Sequence, residues 1–306
     1  MDRVIEIHNL SKRYGPKLAV DDISFTVQPG LVTGFLGPNG AGKSTTMRMI
    51  VGLDRPTTGS AVVNGKQYAD HRDPLHQVGA LLEAKAVHTG RSAYNHLLAL
   101  AATHSIPTSR VHEVIDMTGL DKVAGKRVGG FSLGMGQRLG IAAALLGDPQ
   151  TLILDEPVNG LDPDGVLWVR QLTRYLASQG RTIFLSSHLM SEMALTADHV
   201  IILGRGRVLA DAPISELTGR AGTGRVTVRT PSPAELTQAI AGPDVTVTEQ
   251  PDGTLSVAGL GAQQVGEAAF RAGIALYELT PVKASLEQAY LALTQDEVEF
   301  RSEVAA

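Results

Sequence analysis

The stretch GPNGAGKST, residues 37–45, follows the apolar run LVTGFL and opens the helical pattern KSTTMRMIVG. Its three glycines in nine residues disfavour both a helix and a strand, so the stretch predicts a loop. It fits G-x-x-x-x-G-K-[ST] between a strand and a helix, where backbone N–H groups and the helix N-terminus attract phosphate. The residues predicted to bind the phosphates of a nucleotide are Gly37, Pro38, Asn39, Gly40, Ala41, Gly42, Lys43, Ser44 and Thr45.

Catalytic and metal-binding residues are predicted in this loop and after two apolar strands. Lys43 is expected to reach the β- and γ-phosphates, and the Ser44 hydroxyl to ligate Mg²⁺. The strand TLILD ends at Asp155 and Glu156. Because neighbouring side chains of a strand diverge, Asp155 is expected to hold the metal through water and Glu156 to orient or polarise the attacking water. His188 follows the strand TIFLSS, where it could contact the γ-phosphate or that water.

The composition limits the functions that the chain can have. Its 306 residues allow one large domain and a smaller one. The 27 lysines and arginines against 31 aspartates and glutamates give a net charge of −4, which argues against a nucleic-acid coat. The absence of cysteine excludes disulfides and fits a cytoplasmic protein. No secretory signal is visible, and the most apolar stretches are far shorter than the roughly 20 residues that cross a bilayer.

The order of apolar patterns predicts two domains. Residues 1–217 alternate strands with helical patterns, which is typical of an α/β domain. Its predicted strands are VIEIHNL, DISFTV, LVTGFL, SAVVNG, TLILD, TIFLSS and HVIILG. Two helical stretches between about 89 and 131 indicate a helical subdomain, assigned to residues 89–140, and the Gly-, Thr- and Arg-rich residues 218–225 are a predicted linker. Residues 226–306 show the order strand-helix-strand-strand-helix-strand-helix, which resembles a small ferredoxin-like α+β module.

The stretch FSLGMGQRLGIAAALL, residues 131–146, indicates the kind of nucleotide-binding protein. A Gly-rich sequence led by serine opens a strong helical pattern shortly before the acidic strand. Here the chain resembles the nucleotide-binding subunit of an ABC transporter, whose signature reads L-S-G-G-Q. Ser132 and Gly134 match that signature, whereas Leu133 and Met135 depart from it. The variant F/Y-S-L-G-M followed by QR is typical of the branch associated with drug-, antibiotic- and bacteriocin-resistance exporters.

The resemblance to ABC transporters covers residues 1 to about 217 and includes further motifs. Tyr14 matches the aromatic residue that stacks on adenine, and Asp162 matches the loop that contacts the opposite subunit. Glu156 matches the catalytic carboxylate of the family, and His188 matches its switch histidine. The resemblance therefore implies a P-loop ABC ATPase domain with a helical signature subdomain, with ATP and Mg²⁺ as its cofactors.

Two positions leave alternatives open. Stacking on Tyr14 tolerates either purine. ATP is favoured over GTP mainly because the sequence has no Asn-Lys-x-Asp run, the usual guanine-binding motif of GTPases. Taken without the resemblance, Tyr14 can equally be a core aromatic. Glu83, after the strand VGALL, stands where the family usually has glutamine. An ionised carboxylate can bind Mg²⁺ but cannot donate a hydrogen bond. Glu83 therefore cannot fill a role in which the family's glutamine donates from its amide group. The predicted metal ligands are thus Ser44, Glu83 and Asp155.

The resemblance also implies partners. Two copies of the chain are expected to face head to tail, with each ATP between the phosphate loop of one copy and the signature of the other. The helix N-terminus at Ser132 supports this arrangement, because it is an anion site that the chain's own phosphate loop does not need. A separate transmembrane permease subunit, contacted by residues 84–97, would hold the chain at the cytoplasmic face of the cell membrane. No nucleic-acid partner is expected.

The function predicted from these motifs is ATP hydrolysis that powers export of a drug-like or antibiotic compound. One alternative is a soluble ABC ATPase acting on ribosomes or DNA. Such relatives normally carry two cassettes or long coiled coils, whereas this chain has one cassette and no sustained heptads. The other alternative is an importer ATPase, which usually keeps an unaltered L-S-G-G-Q signature and often has a larger C-terminal regulatory domain.

Overall fold

The computed structural model of the chain describes residues 4–83, 87–221, 225–282 and 285–294. Its strands are, in chain order, β1 Ile5–Tyr14, β2 Lys17–Val27, β3 Val32–Leu36, β4 Thr58–Val63, β5 Val78–Leu81, β6 Thr151–Leu154, β7 Thr182–Ser186, β8 His199–Gly204, β9 Arg207–Pro213, β10 Arg225–Arg229, β11 Thr246–Glu249, β12 Leu255–Ala258 and β13 Glu278–Val282. Its α-helices are α1 Lys43–Ile50, α2 Pro74–Gln77, α3 Ala93–Thr103, α4 Thr108–Met117, α5 Leu133–Leu145, α6 Pro163–Ser178, α7 Met190–Thr196, α8 Ile214–Ala221, α9 Pro233–Ala239, α10 Ala262–Arg271 and α11 Leu286–Thr294.

The first of two compact units, which comprises Met1–Pro213 and Leu293–Ala306, is built on a six-stranded sheet in the order β5-β6-β7-β3-β8-β9. Neighbouring strands from β5 to β8 run parallel, and β9 runs antiparallel to β8. Every residue of β3, β6 and β7 is buried, as expected for central parallel strands covered on both faces. Because β6, β7 and β3 are adjacent and parallel, their carboxyl ends meet at one edge, where the predicted site residues follow them.

A smaller antiparallel sheet of the same unit has the order β2-β1-β4. Phe25 of this sheet packs against Phe35 and Phe184 of the larger sheet, with ring centroids 5.6 and 5.9 Å away. The two sheets therefore share one apolar core. All seven strands predicted for this domain are confirmed, and β1 continues beyond its predicted end to Tyr14.

The helical stretches predicted between 89 and 131 are confirmed as α3 and α4. The first of them begins where the Ser92 hydroxyl oxygen accepts a hydrogen bond from the backbone N–H of Asn95 at 3.2 Å, which satisfies one otherwise unpaired donor of the first turn. The longest described helix, α6, has 16 residues. Within the described ranges, no helix combines the length and the apolar character that crossing a bilayer requires.

The second compact unit, Ile214–Ala292, contains a four-stranded antiparallel sheet in the order β11-β12-β10-β13. Its core joins Val228 of the sheet with Leu236 of α9 and Val265 of α10. The element order β-α-β-β-α-β with this strand order confirms the predicted ferredoxin-like α+β module.

The segment between the two predicted domains is partly helical. The first stretch of the first compact unit ends at Pro213, before the predicted boundary at residue 217, and α8 covers the beginning of the predicted linker at 218–225. Leu217 of this helix is buried. Packing of this apolar side chain stabilises the helix, although the stretch contains glycine and threonine. Residues 222–224 of the predicted linker lie outside the described residues.

Candidate nucleotide-binding site

The loop between β3 and α1 holds a lysine against its own backbone. Gly42, the N-cap of α1, has φ of 105°, and a Cβ there would lie 2.5 Å from the carbonyl oxygen of Ala19. Only glycine therefore fits where the loop turns into the helix. Lys43 is 8% exposed, and its Nζ donates to the carbonyl oxygens of Gly37 at 2.7 Å and Pro38 at 3.3 Å. Two of the three hydrogens of the buried ammonium group are thus bonded within the loop itself.

A cavity of about 580 Å³ lies beside this loop and has the size expected for a small-molecule site. Its lining includes Tyr14, residues 39–45, Glu83, Asp155 and Glu156. These parts of the lining come from the end of β1, the loop after β3, and the ends of β5 and β6. The structure therefore brings together most of the residues predicted to bind a nucleotide and its metal.

Asp155 and Glu156 are held by one hydroxyl group of the neighbouring strand. Ser186, the last residue of β7, donates its hydroxyl hydrogen to Asp155 Oδ1. The same Ser186 oxygen accepts from the backbone N–H of Glu156 at 2.9 Å. Glu156 has φ of 50°, in the left-handed region that costs a non-glycine residue roughly 1–2 kcal/mol. The hydrogen bond to its N–H offsets part of that cost and fixes the two acids relative to each other.

Glu156 is also held through its carbonyl oxygen and its carboxylate. Gln137 of α5 is 4% exposed and donates from Nε2 to the Glu156 carbonyl oxygen at 2.8 Å. His188 Nδ1 lies 2.7 Å from Glu156 Oε2. Because an ionised carboxylate only accepts hydrogen bonds, Nδ1 carries the hydrogen of this pair. The predicted histidine thus contacts the predicted catalytic acid directly, and three residues from two chain segments, α5 and the end of β7, hold that acid in place.

Sequence reasoning missed Gln137 and Ser186. The signal for Gln137 was its spacing, since it lies on the same helix stripe as the buried Ile141 and Leu145. A polar side chain on an apolar stripe needs a buried partner, although the partner itself is not written in the local sequence. The same holds for Ser186, a hydroxyl at the end of the apolar run TIFLS.

Tyr14 lines the cavity and is 46% exposed, which excludes its interpretation as a buried core aromatic. Its hydroxyl donates to Asp54 Oδ2 at 2.9 Å. Partial burial, followed by the hydrogen bond to Asp54, raises the pKa of Tyr14 above its usual value. The hydroxyl therefore stays protonated, and the ring is available for stacking.

Two of the signature residues, Ser132 and Gly134, do not line this cavity, whereas Leu133 between them does. Ser132 is the N-cap of α5, and its hydroxyl oxygen accepts from the backbone N–H of Met135 at 3.2 Å. Gly134 lies so close to Gly160 that a Cβ would be 3.0 Å from the Gly160 carbonyl oxygen. Asp162 is the N-cap of α6 and accepts from the N–H of Gly165. Of the predicted nucleotide-binding residues, Ser132, Gly134 and Asp162 thus do not line the cavity beside the phosphate loop within one copy.

Comparison with known proteins establishes the family. The family model described as ABC transporter matches residues 20–159, which include the phosphate loop, the signature and both acids. The bacitracin transport ATP-binding protein BcrA of Bacillus licheniformis is 41% identical over 223 residues, covering 72% of this chain and 73% of the relative. This chain belongs to the ABC transporter ATP-binding proteins.

Other comparisons extend this match over the chain. The Nod factor export ATP-binding protein I of Rhizobium sp. (strain N33) is 34% identical over 302 residues, covering 96% of this chain and 98% of the relative. A solved ATP binding subunit of an ABC transporter has a TM-score of 0.65 at 27% identity, covering 72% of this chain and 93% of that one. Residues 224–287 match a domain of unknown function, and residues 127–194 also match a model described as an AAA domain, putative AbiEii toxin. As an ABC ATPase, the chain binds and hydrolyses ATP.

The ABC ATPase offers a magnesium ion few ligands of its own. The predicted ligands Ser44, Glu83 and Asp155 all line the cavity. Among the residues that the structure describes, however, no group of three or more His, Cys, Asp or Glu side chains could hold a metal ion. Mg²⁺ is usually bound through one or two carboxylates together with substrate phosphates. The residues present therefore fit an ion that enters with ATP better than one that the protein holds alone.

Burial sets the proton affinity of the loop lysine. Burial lowers the pKa of Lys43 below its usual value, while the carboxylates of Glu156 and Asp155 act in the opposite direction. The net lowering means that the folded ABC ATPase releases this proton at a lower pH than the unfolded chain does. Keeping Lys43 charged at neutral pH therefore lowers the free energy of unfolding of the nucleotide-free protein. The negative charge of a bound polyphosphate would stabilise the ammonium group and offset this loss.

A pH dependence of stability follows from the lowered pKa of Lys43. Because the unfolded chain binds more protons than the folded one in this window, stability rises as the pH increases from the folded pKa towards the ordinary lysine value of 10.5. We expect the free energy of unfolding of the nucleotide-free wild type, relative to that of Lys43→Met, to increase with pH across this range. Urea unfolding of both proteins at a series of pH values measures the difference. A difference that stays constant or falls with pH would contradict the lowered pKa.

Proposed function

We propose that this ABC ATPase powers export of an antibiotic or drug-like compound through a separate membrane subunit. The observation that carries the proposal is the variant signature FSLGM at the start of α5, beside a cavity that Lys43 and Glu156 line, with His188 bonded to Glu156. The names of the relatives support it. BcrA is named for bacitracin transport, and the relative that matches nearly the whole chain is named for Nod factor export.

Two copies of the chain are proposed to form the working unit, placed head to tail. Within one copy, the N-cap residue Ser132 of α5 does not line the cavity that contains Lys43, although Leu133, the next residue, does. In the head-to-tail arrangement, a second copy would bring that helix N-terminus to the phosphates. Each ATP would then contact both copies and favour the closed pair over the open one, and hydrolysis would remove this preference.

The chemistry of hydrolysis is assigned to residues that the cavity and its edge bring together. Lys43 would hold the β- and γ-phosphates, and Glu156 would polarise the attacking water. His188 would keep the Glu156 carboxylate oriented through the 2.7 Å hydrogen bond. Ser44, Glu83 and Asp155 would hold Mg²⁺, which supplies charge neutralisation at the phosphate oxygens.

The membrane subunit is proposed to bind near the signature, and the chain would then lie at the cytoplasmic face of the membrane. A depression of about 420 Å³ is lined by Val87, Thr89, Val128 and Phe131 together with Ser132. It joins part of the segment predicted to contact the permease, residues 84–97, to the start of α5; residues 84–86 lie outside the described residues. Movement of a partner seated there would act on the signature directly. Residues 226–306 are proposed to form an accessory domain of the subunit.

Affinity purification from gently solubilised membranes of the native host tests the transporter assignment. We expect a polytopic membrane protein to copurify with the tagged chain at a fixed ratio, and ATP hydrolysis by the complex to change when the exported compound is added. Recovery of ribosomes or nucleic acid without a membrane protein would overturn the export proposal in favour of a soluble ABC ATPase. Copurification with a substrate-binding protein and uptake by the assembly would favour an importer.

A further inference from the structure

Asp54 joins the aromatic side of the ATP cavity to the helix that follows the phosphate loop. Tyr14 donates its hydroxyl hydrogen to Asp54 Oδ2 at 2.9 Å. Arg48, in the last turn of α1, donates from Nε to the same oxygen at 2.8 Å. One carboxylate oxygen therefore connects the end of β1 to α1.

The Asp54 carboxylate is suited to hold both partners. Its side chain is 20% exposed, whereas that of Arg48 is 45% exposed. The hydrogen bond from Arg48, with a smaller contribution from Tyr14, holds the pKa of Asp54 below its usual value against the opposing effect of burial. The group is therefore ionised at neutral pH and can only accept hydrogen bonds, which suits two donors at one oxygen.

A lysine restricts how the Tyr14 ring can be used. Lys12 Nζ lies 4.9 Å from the centroid of the ring and also donates to the carbonyl oxygen of Arg55 at 2.6 Å. The ammonium group covers one face of the ring, so a flat ligand can stack only on the other face. With its hydroxyl bound to Asp54, the ring is fixed in direction as well as in the face that it presents.

We propose that Asp54 is a positioning residue for the nucleotide base. By tying the Tyr14 hydroxyl to Arg48 of α1, it would set the ring at a fixed place relative to the phosphate loop at the other end of that helix. A nucleotide could then meet the ring with its base and the loop with its phosphates without an ordering step on binding. The proposal rests on the proposed function of Tyr14 as the residue that stacks on the base.

The test compares a ligand that has a base with one that lacks it. Asp54→Ala and Tyr14→Phe each remove the hydrogen bond between the two side chains, and we expect each to raise the Kd for ATP by about three- to tenfold. The double variant should bind ATP no more weakly than the single variant with the lower affinity, because both changes remove the same hydrogen bond. The Kd for inorganic tripolyphosphate, which has no base, should stay within about twofold of the wild-type value in all three. Isothermal titration calorimetry on the full chain measures both ligands.

Asp21→Ala is the matched control. Asp21 is also paired with an arginine, Arg207, at 2.7 Å, and its side chain is 26% exposed, but it does not line the cavity. We expect this variant to bind ATP like the wild type. Tripolyphosphate binding also reports that each variant is folded around an intact phosphate loop.

The outcomes separate the role of Asp54 from that of Tyr14. The positioning role of Asp54 would be overturned if Asp54→Ala bound ATP as tightly as the wild type, or if it lost as much affinity for tripolyphosphate as for ATP. It would also be overturned if Asp54→Ala caused its full loss of ATP affinity again in the Tyr14→Phe background. Tyr14→Ala decides the underlying assignment, since it removes the ring. If that variant binds ATP like the wild type, base stacking on Tyr14 fails and the positioning role fails with it. If it loses affinity while Asp54→Ala and Tyr14→Phe do not, stacking stands and only the role of Asp54 is overturned.

Discussion

Replacing Glu156 with glutamine is expected to lower kcat for ATP hydrolysis by roughly 10²–10⁴-fold while ATP binding persists. Glutamine has nearly the same size, and its amide oxygen can still accept the hydrogen bond that His188 Nδ1 makes to Oε2 at 2.7 Å. The backbone bonds to Ser186 and Gln137 do not involve the side chain and are retained. What the amide lacks is a basic oxygen for a proton of the attacking water. Phosphate release at saturating ATP and magnesium measures the loss.

The same variant tests the link between hydrolysis and reopening of the dimer. If ATP favours the closed pair and hydrolysis removes that preference, the Glu156→Gln chain should accumulate as a dimer when ATP is added, which size-exclusion chromatography detects. Glu113→Gln is the control, since Glu113 pairs with Arg110 at 2.9 Å and does not line the cavity. It should hydrolyse ATP at the wild-type rate. Wild-type turnover by Glu156→Gln would remove Glu156 from the catalytic role.

Features of the site that depend on local backbone chemistry were predictable from the sequence. Gly42 occupies a left-handed conformation that the loop pattern requires, and Lys43 follows it at the first turn of the helix. Ser132 is at the N-cap of α5, as the Ser-led start of a helical pattern indicates. The position of the two acids also followed, because the apolar run of β6 fixes where that buried strand ends.

Contacts between distant segments could not be predicted in the same way. The bond from Gln137 to the Glu156 carbonyl oxygen and the bond from Tyr14 to Asp54 join residues 19 and 40 positions apart. Such contacts depend on how the helices lie against the sheets, which hydrophobic spacing alone does not specify. The left-handed φ of Glu156 is likewise invisible in the sequence, because no glycine or asparagine marks it. The sequence placed Glu156 at the end of a strand and matched it to the catalytic carboxylate, but its three hydrogen-bonding restraints were unknown without the structure.

Mixing two inactive variants is expected to restore ATP hydrolysis if each site is built from two copies of the chain. Lys43→Ala removes the ammonium group of the phosphate loop, and Ser132→Arg places a bulky side chain at the N-cap of the signature helix. In a dimer of either variant alone, both sites contain one defective half. In a mixed dimer, one site contains both defects, while the other combines two intact halves. Random pairing of symmetric dimers predicts a recovery of about one quarter of the wild-type rate.

The control for this experiment places both defects in the same half of the site. Lys43 and Glu156 line one cavity within a single copy, so a mixture of Lys43→Ala with Glu156→Gln leaves every site with a defective loop or a defective acid. That mixture should stay at the rate of its parents. Recovery in the first mixture but not in the second requires that Ser132 act on the nucleotide held by the other copy, since both mixtures contain the Lys43→Ala chain. A first mixture that stays at the parental rate would instead place the complete site in one copy, although Ser132 lies outside that copy's cavity.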